Sequence, residues 1–137
     1  MSMDAPRATY RLQLSHQFTF ADATAVVGTL HTLGVSHLYL SPVLASRPGS
    51  THGYDVVDVE AIDDERGGRA GFDELAAACR RAGMGIVVDI VPNHMGADVD
   101  TNRWWADVLR LGRNSEYASF FDVDWDPPGA RQLDQIL

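Results

Sequence analysis

Two short polar clusters contain the side chains that could do chemistry, and the first of them is HGYD at residues 52–55. Gly53 allows a tight bend, while Tyr54 offers a flat apolar face and a hydroxyl group, the two features to which a sugar ring binds. His52 can donate a hydrogen bond to a sugar hydroxyl. Taken alone, however, the four residues favour a structural role, in which Tyr54 fills a gap beneath its loop and His52 is solvated.

The second cluster is Asp89, Asn93 and His94. Asp89 lies inside the apolar segment GIVVDIV near its C-terminal end, and the other two residues follow the segment. A carboxylate in such a segment needs hydrogen-bonding or cationic partners, because burying an unpaired charge is costly. In a parallel barrel, the carboxyl ends of the strands are where active sites form. The alternative is that Asp89 caps the turn at Asn93 and that His94 is merely exposed.

Periodicity predicts the elements that must position these clusters. Alternating apolar residues predict a strand over Thr9–Leu14, and helical spacing predicts a helix over Asp22–Leu33 with Thr19 or Asp22 as its N-cap. A short strand at Val35–Leu40 completes a βαβ unit, which implies a parallel sheet. A helix over Phe72–Arg81 and a strand over Gly85–Val91 follow.

The other segments have less regular patterns. Residues 42–71 form a long stretch that is rich in Gly, Ser, Pro and Asp, with an extended piece at Tyr54–Val59, and such a length indicates a functional loop. Beyond the third strand, Arg103–Leu111 predicts a helix, and Tyr117–Pro128 is aromatic and acidic without clear periodicity. We assign this part to an excursion from the sheet. The last nine residues, Gly129–Leu137, are compatible with a short helix.

Length and composition indicate a globular protein that is acidic. The chain has 137 residues, of which 45% are hydrophobic and 22% charged, whereas a complete (β/α)8 barrel needs roughly 250 residues. Nineteen acidic against 11 basic residues argue against nucleic acid or an anionic membrane as partner. With no long apolar run, no leader pattern and a single cysteine, Cys79, we expect a cytoplasmic protein without disulfides.

Parallel βα units are compatible with either an open doubly wound sheet or a barrel. The first strand-to-helix turn, Ser15–Phe20, contains no glycine and therefore no G-x-G-x-x-G fingerprint. This absence argues against a dinucleotide-binding fold.

HGYD at residues 52–55 followed by DIVPNH at residues 89–94 resembles the α-amylase clan of glycoside hydrolases and transglycosylases. TYRLQL at residues 9–14, GVSHLYLSPVLASRPGSTHGYDVVD at residues 34–58, and later WWADVL and FFDVDWDP are similar to the maltooligosyl trehalose synthases of that clan. The resemblance implies a (β/α)8 TIM barrel. Residues 1–96 would supply its first three βα units, and residues 97–137 would begin a domain inserted after strand three, with an atypical C-terminus that suggests truncation.

The resemblance also implies roles for the first cluster and for His94. Tyr54 would stack on the glucose unit just before the bond that is cleaved or transferred, and His52 would help to hold that ring. His94 would bind the primary hydroxyl of the same glucose. Asp55 is a weaker candidate, which ties its own loop together.

For the remaining residues the resemblance implies support rather than catalysis. Asp89 would anchor an arginine on strand four, and Asn93 would brace its loop. In calcium-dependent amylases the matching asparagine is a metal ligand, but no partner set of oxygen ligands is evident here, so we expect no metal and no other cofactor.

The clan mechanism needs a carboxylate nucleophile and a carboxylic acid/base, which lie after strands four and five. We therefore expect no catalytic residue in this chain and no activity from it alone. Asp122, Asp124 and Asp126 are better explained as surface charges. The resemblance implies a complete enzyme that acts on maltooligosaccharides, breaking the reducing-end α-1,4 bond and rejoining the glucose through an α,α-1,1 bond.

Two alternatives stay open. The parent enzyme could be a hydrolase or simple transglycosylase of the same clan. The chain could instead be a sugar-binding or inert half-barrel, which would have to unfold cooperatively as a 137-residue protein.

Overall fold

The computed structural model describes residues 5–127. Its contacts divide the chain into two compact units, Met1–Gly96 and Ala97–Leu137. The main elements are β1 (Thr9–Leu12), α1 (Phe20–Thr32), β2 (His37–Leu40), β3 (Leu44–Ser46), β4 (Val56–Ile62), α2 (Gly68–Arg81), β5 (Gly85–Val88) and α3 (Arg103–Leu111).

The first unit is built on three parallel strands in the order β1, β2 and β5. Leu12, Leu40 and Val88 lie in register at the carboxyl ends of these strands. The predicted parallel βα arrangement is confirmed. All segments that leave the carboxyl ends of the three strands start from the same edge of the sheet.

Strand β1 is shorter than its sequence pattern predicts. The alternation extends to Leu14, but the ladder ends at Leu12. The backbone N–H of Leu14 donates to the Ser41 hydroxyl at 2.8 Å instead of to a neighbouring strand. A side chain thus replaces the ladder partner at the end of the strand, which the pattern of apolar residues cannot reveal.

Helix α1 begins at Phe20, two residues before its predicted start, because Thr19 is the N-cap. The Asp22 carboxylate accepts hydrogen bonds from the backbone N–H and the hydroxyl of Thr19, each at 2.8 Å. These bonds lower the pKa of Asp22. The carboxylate thus gives the N–H of the N-cap residue a partner at the start of the helix.

The core of the first unit lies between the sheet and its two helices. Leu14, Phe20, Leu38 and Leu75 are completely buried there. Phe20 meets Phe72 edge to face, with 5.7 Å between ring centroids. This packing supplies the rigid support from which the loops at the carboxyl ends of the strands project.

Helix α2 begins at Gly68, four residues before its predicted start. A short 3₁₀ turn, Asp64–Arg66, precedes it, and Gly67 joins the two with a φ of 108°. Only glycine adopts this left-handed conformation without strain. The turn therefore runs directly into the helix, although the glycines suggested a loop.

The long segment after β2 contains an antiparallel pair, β3 and β4, that the sequence analysis missed apart from part of β4. The register between the two strands shifts at each step, and much of β4 is exposed. Short irregular strands of this kind leave no clear alternation in the sequence.

A buried ion pair joins the turn before α2 to this antiparallel pair. Arg66 is 1% exposed and contacts the carboxylate of Asp63, which is 4% exposed. Ser46 donates to the same carboxylate through its hydroxyl at 2.7 Å and its N–H at 3.0 Å. The long segment is therefore anchored, and not a free loop.

The second unit contains α3, whose bounds match the prediction. Asn102 caps this helix, its Oδ1 accepting from the N–H of Trp105 at 3.0 Å. Trp104 is 3% exposed and packs against Tyr117 and Phe120. The helix predicted within residues 129–137 lies outside the described residues. Between residues 5 and 127, no helix is long and apolar enough to cross a membrane.

Candidate active site

The structure brings the two polar clusters into direct contact. The hydroxyl of Tyr54 donates to Oδ2 of Asp89 at 2.5 Å, although 35 residues separate them. Asp89 is fixed from its backbone as well, since its N–H donates to the carbonyl of Leu40 at 2.9 Å. The fold therefore brings the two clusters together at the carboxyl ends of the strands.

Arg11, which the sequence analysis did not select, completes this contact. Its guanidinium lies 3.3 Å from Oδ2 of Asp89 and donates to the Tyr54 hydroxyl at 2.9 Å. The same guanidinium stacks 4.7 Å from the centre of the Tyr39 ring. The sequence does contain a signal for it. Arg11 and Gln13 alternate with apolar residues, so their two polar side chains lie on one face near the carboxyl end of β1.

This arrangement keeps Asp89 charged. The hydrogen bond from Tyr54 is the largest influence lowering the pKa of Asp89, and hydrogen bonds from Arg11 and Tyr39 act in the same direction against partial desolvation. The same contact raises the pKa of the Tyr54 phenol. An acid that protonates a glycosidic oxygen needs a raised pKa, so Asp89 is suited to anchor and orient rather than to donate a proton.

His94 reaches the first cluster from the second. Its Nε2 lies 3.0 Å from the carbonyl oxygen of Tyr54, and its Nδ1 lies 2.9 Å from the amide nitrogen of Asn93. If the Asn93 amide donates to Nδ1, then Nε2 carries the proton and donates to Tyr54. Asn93 thus holds the imidazole ring, and His94 holds the backbone of Tyr54.

His52 lies against Tyr54, as its predicted role requires. The two rings stack with 5.9 Å between centroids and 22° between planes. The N–H of Tyr54 donates to Nδ1 of His52 at 3.0 Å. Tyr54 is nevertheless 37% exposed, so its ring keeps surface for a ligand.

Asp55 lies within its own loop and closes it. Its Oδ1 accepts from the Ser50 hydroxyl at 2.5 Å, and the oxygen of Ser50 accepts from the N–H of Gly53 at 3.0 Å. Gly53 has a φ of 80°, and a Cβ there would lie 3.0 Å from the carbonyl of Pro42. The bend that presents Tyr54 therefore requires glycine.

Within residues 5–127, no three His, Cys, Asp or Glu side chains come together as ligands for a metal ion. The amide of Asn93 is engaged with His94. The absence of a metal stays an expectation.

We expect Tyr54→Phe to raise the pKa of Asp89, because it removes the hydrogen bond that most favours the charged form. Charged Asp89 stabilises the folded protein fully at a pH above the ordinary carboxyl pKa. This stabilisation is lost as the pH falls through the lowered pKa that Asp89 has in the folded protein. The variant should lose it at a higher pH. A 13C NMR titration of the Asp89 carboxyl carbon measures the shift, and an unchanged pKa would contradict the network.

Comparison with known proteins confirms the predicted fold, the start of a TIM barrel. A "Putative maltooligosyl trehalose synthase" of Mycobacterium tuberculosis is 52% identical over 136 residues, which is 95% of this chain and 18% of that protein. The maltooligosyltrehalose synthase structure from Arthrobacter ramosus matches with a TM-score of 0.85 and 56% identity, over 88% of this chain and 16% of that one. The chain thus spans less than a fifth of the length of these relatives.

More distant relatives share the same segment. The oligo-1,6-glucosidase of Halalkalibacterium halodurans is 37% identical over 92 residues, covering 67% of this chain and 16% of that protein. The family model described as alpha amylase, catalytic domain, matches residues 24–133. That match includes both polar clusters and covers most of the chain. The chain belongs to the alpha-amylase family.

Proposed function

We propose that this segment supplies part of the glucose-binding site of an enzyme that rearranges maltooligosaccharides. In that reaction the reducing-end α-1,4 bond is broken and the released glucose is rejoined through an α,α-1,1 bond. The observation that carries the proposal is the contact between Tyr54 and Asp89, which forms one site from two distant motifs. The 52% identity to the mycobacterial protein across 95% of the chain also supports the proposal.

The residues of the site divide into a binding face and a support. Tyr54 offers an apolar ring for the face of a glucose unit, and His52, whose Nδ1 accepts from the N–H of Tyr54, offers a donor for a hydroxyl group through Nε2. His94 would become a donor to the sugar when a glucose hydroxyl replaces the Tyr54 carbonyl as the partner of its Nε2. Asp89 and Arg11 hold the Tyr54 hydroxyl, and Asn93 and Asp55 hold the neighbouring loops. Rigid supports of this kind keep a binding residue in its productive orientation.

We assign no covalent step to the described residues. A retaining transfer needs a nucleophilic carboxylate and an acid/base carboxyl group about 5–5.5 Å apart. We propose that these groups lie after the fourth and fifth barrel strands. We also propose that the enzyme is located in the cytoplasm. Its substrates there would be maltooligosaccharides.

A hydrolase or simple transglycosylase of the same clan is the second candidate, which the 37% identity to an oligo-1,6-glucosidase favours. Incubating the full-length polypeptide that carries this segment with maltopentaose separates the two. Rearrangement removes the reducing end and leaves the mass unchanged. Hydrolysis creates new reducing ends and shorter products, and finding only these would overturn the proposed rearrangement.

We expect purified residues 1–137 alone to produce no measurable rearrangement of maltopentaose. Strands β1 and β5 each pair on one side only, so the three-stranded sheet has two open edges. Such edges and uncovered apolar faces favour aggregation over a stable fold. Product analysis by mass and reducing-end assay tests this. A monodisperse, cooperatively unfolding chain without activity would instead support a sugar-binding or inert module, and measurable rearrangement of maltopentaose would contradict the expectation.

A further inference from the structure

Gln13 connects strand β1 to the loop that carries His52 and Tyr54. Its side-chain Nε2 donates to the carbonyl oxygens of Thr51, at 3.2 Å, and His52, at 3.3 Å. Its Oε1 accepts from the guanidinium of Arg11 at 3.4 Å. One amide side chain therefore contacts two consecutive carbonyl groups of the loop and the cation that holds the Tyr54 hydroxyl.

From these contacts we propose that Gln13 is a positioning residue, which sets the placement of the Tyr54 ring for the bound glucose. The inference rests on the proposed glucose site but concerns a residue outside both sequence clusters. Gln13 acts through His52 and Arg11 and does not need to touch the sugar.

The route from Gln13 to the ring consists of contacts already described. The carbonyl of His52 is held by Gln13, while the imidazole of the same residue stacks on Tyr54 and accepts from its N–H. At the other end of the ring, Arg11 donates to the Tyr54 hydroxyl. Gln13 therefore restrains the backbone beside the ring directly, and the ring hydroxyl through Arg11.

The test is Gln13→Glu, which keeps the size of the side chain and the acceptor for Arg11 but replaces the donating Nε2. A carboxylate oxygen would face the carbonyls of Thr51 and His52, so their hydrogen bonds would be lost. When protonated, the introduced carboxyl can donate to one carbonyl again. The defect should therefore be greatest at high pH and smaller at low pH.

In the full-length polypeptide, we expect Gln13→Glu to raise KM for maltopentaose about five- to tenfold at neutral pH, the scale of one or two lost hydrogen bonds. The ratio of variant to parent KM should decrease as the pH falls through the titration of the introduced carboxyl. Gln13→Met removes the same bonds without a titrating group, so its KM ratio should be raised at every pH.

Gln17→Glu is the matched control, because it makes the same change in the turn that follows β1. Gln17 is exposed, and its side chain makes no hydrogen bond within the part of the chain that the structure describes. Its KM ratio should stay near one. The inference is overturned if Gln13→Glu behaves like Gln17→Glu, or if it lowers kcat with KM unchanged.

Hydrogen exchange provides a readout that does not need activity. Amides of residues 50–55 should exchange faster in Gln13→Glu than in the parent, while those of β2 stay unchanged and show that the variant is folded. Failure of the parent to rearrange maltopentaose would overturn the proposed function alone. Unchanged exchange in residues 50–55 would overturn the role of Gln13 whatever the reaction is.

Discussion

Replacing Asp89 with alanine in the full-length polypeptide is expected to lower kcat/KM for maltopentaose by about 100-fold, the scale of losing one preorganised polar group. The substitution removes the acceptor of the Tyr54 hydroxyl and leaves Arg11 without its carboxylate. Arg11 then keeps only its neutral partners, and the Tyr54 hydroxyl loses the carboxylate that accepts from it. Steady-state kinetics with maltopentaose measure the effect.

Two further variants separate the loss of position from the loss of charge. Asp89→Asn keeps an oxygen that can accept from Tyr54 but not the charge that attracts Arg11, so its effect should be intermediate. Asp73→Ala removes an exposed carboxylate that pairs with Arg69, and it should leave kcat/KM unchanged. Equal activities of Asp89→Ala and Asp73→Ala would show that the contact at Asp89 has no role in the site.

Replacing Arg66 with methionine should produce the largest loss of stability, about 3–5 kcal/mol in the free energy of unfolding. The side chains of Arg66 and Asp63 are 1% and 6% exposed, so the substitution leaves a buried carboxylate without its cation. Arg66 also donates to the Ser46 hydroxyl at 3.0 Å. Urea unfolding of the full-length polypeptide, followed by far-UV circular dichroism, measures the difference.

The exposed pair of Arg69 and Asp73 provides the matched control. Arg69→Met breaks an ion pair whose side chains are 78% and 57% exposed, and it should cost less than about 1 kcal/mol. Combining Arg66→Met with Asp63→Asn should cost less than the sum of the two single changes, because the uncompensated charge is removed. Equal losses for Arg66→Met and Arg69→Met would contradict the role of the buried pair.

The site could be predicted only in part from the sequence. HGYD and DIVPNH are contiguous motifs, so resemblance to a clan finds Tyr54 and Asp89 directly. Arg11 lies on β1 and Gln13 just beyond its end, in a segment in which polar residues alternate with apolar ones, and that pattern alone indicates a solvated face. What makes them part of the site is their contact with residues 38 to 78 positions away, which only the folded sheet creates.

For the fold as well, elements set by nearby residues could be predicted, and elements set by distant contacts could not. Helix α3 matches its predicted bounds because its cap, Asn102, and its pattern lie within one segment. The start of α2 was missed because Gly67 and Gly68 suggest a loop, although here they join a turn to a helix. The antiparallel pair depends on the buried Asp63, which holds Ser46 across 17 residues.

A crystal structure of the full-length polypeptide with a bound maltooligosaccharide tests the central claim most directly. We predict a glucose ring packed against Tyr54, with His94 within hydrogen-bonding distance of one of its hydroxyl groups and Asp89 still paired with Arg11. An oligosaccharide bound at another place, with the Tyr54 ring free of sugar, would contradict the account.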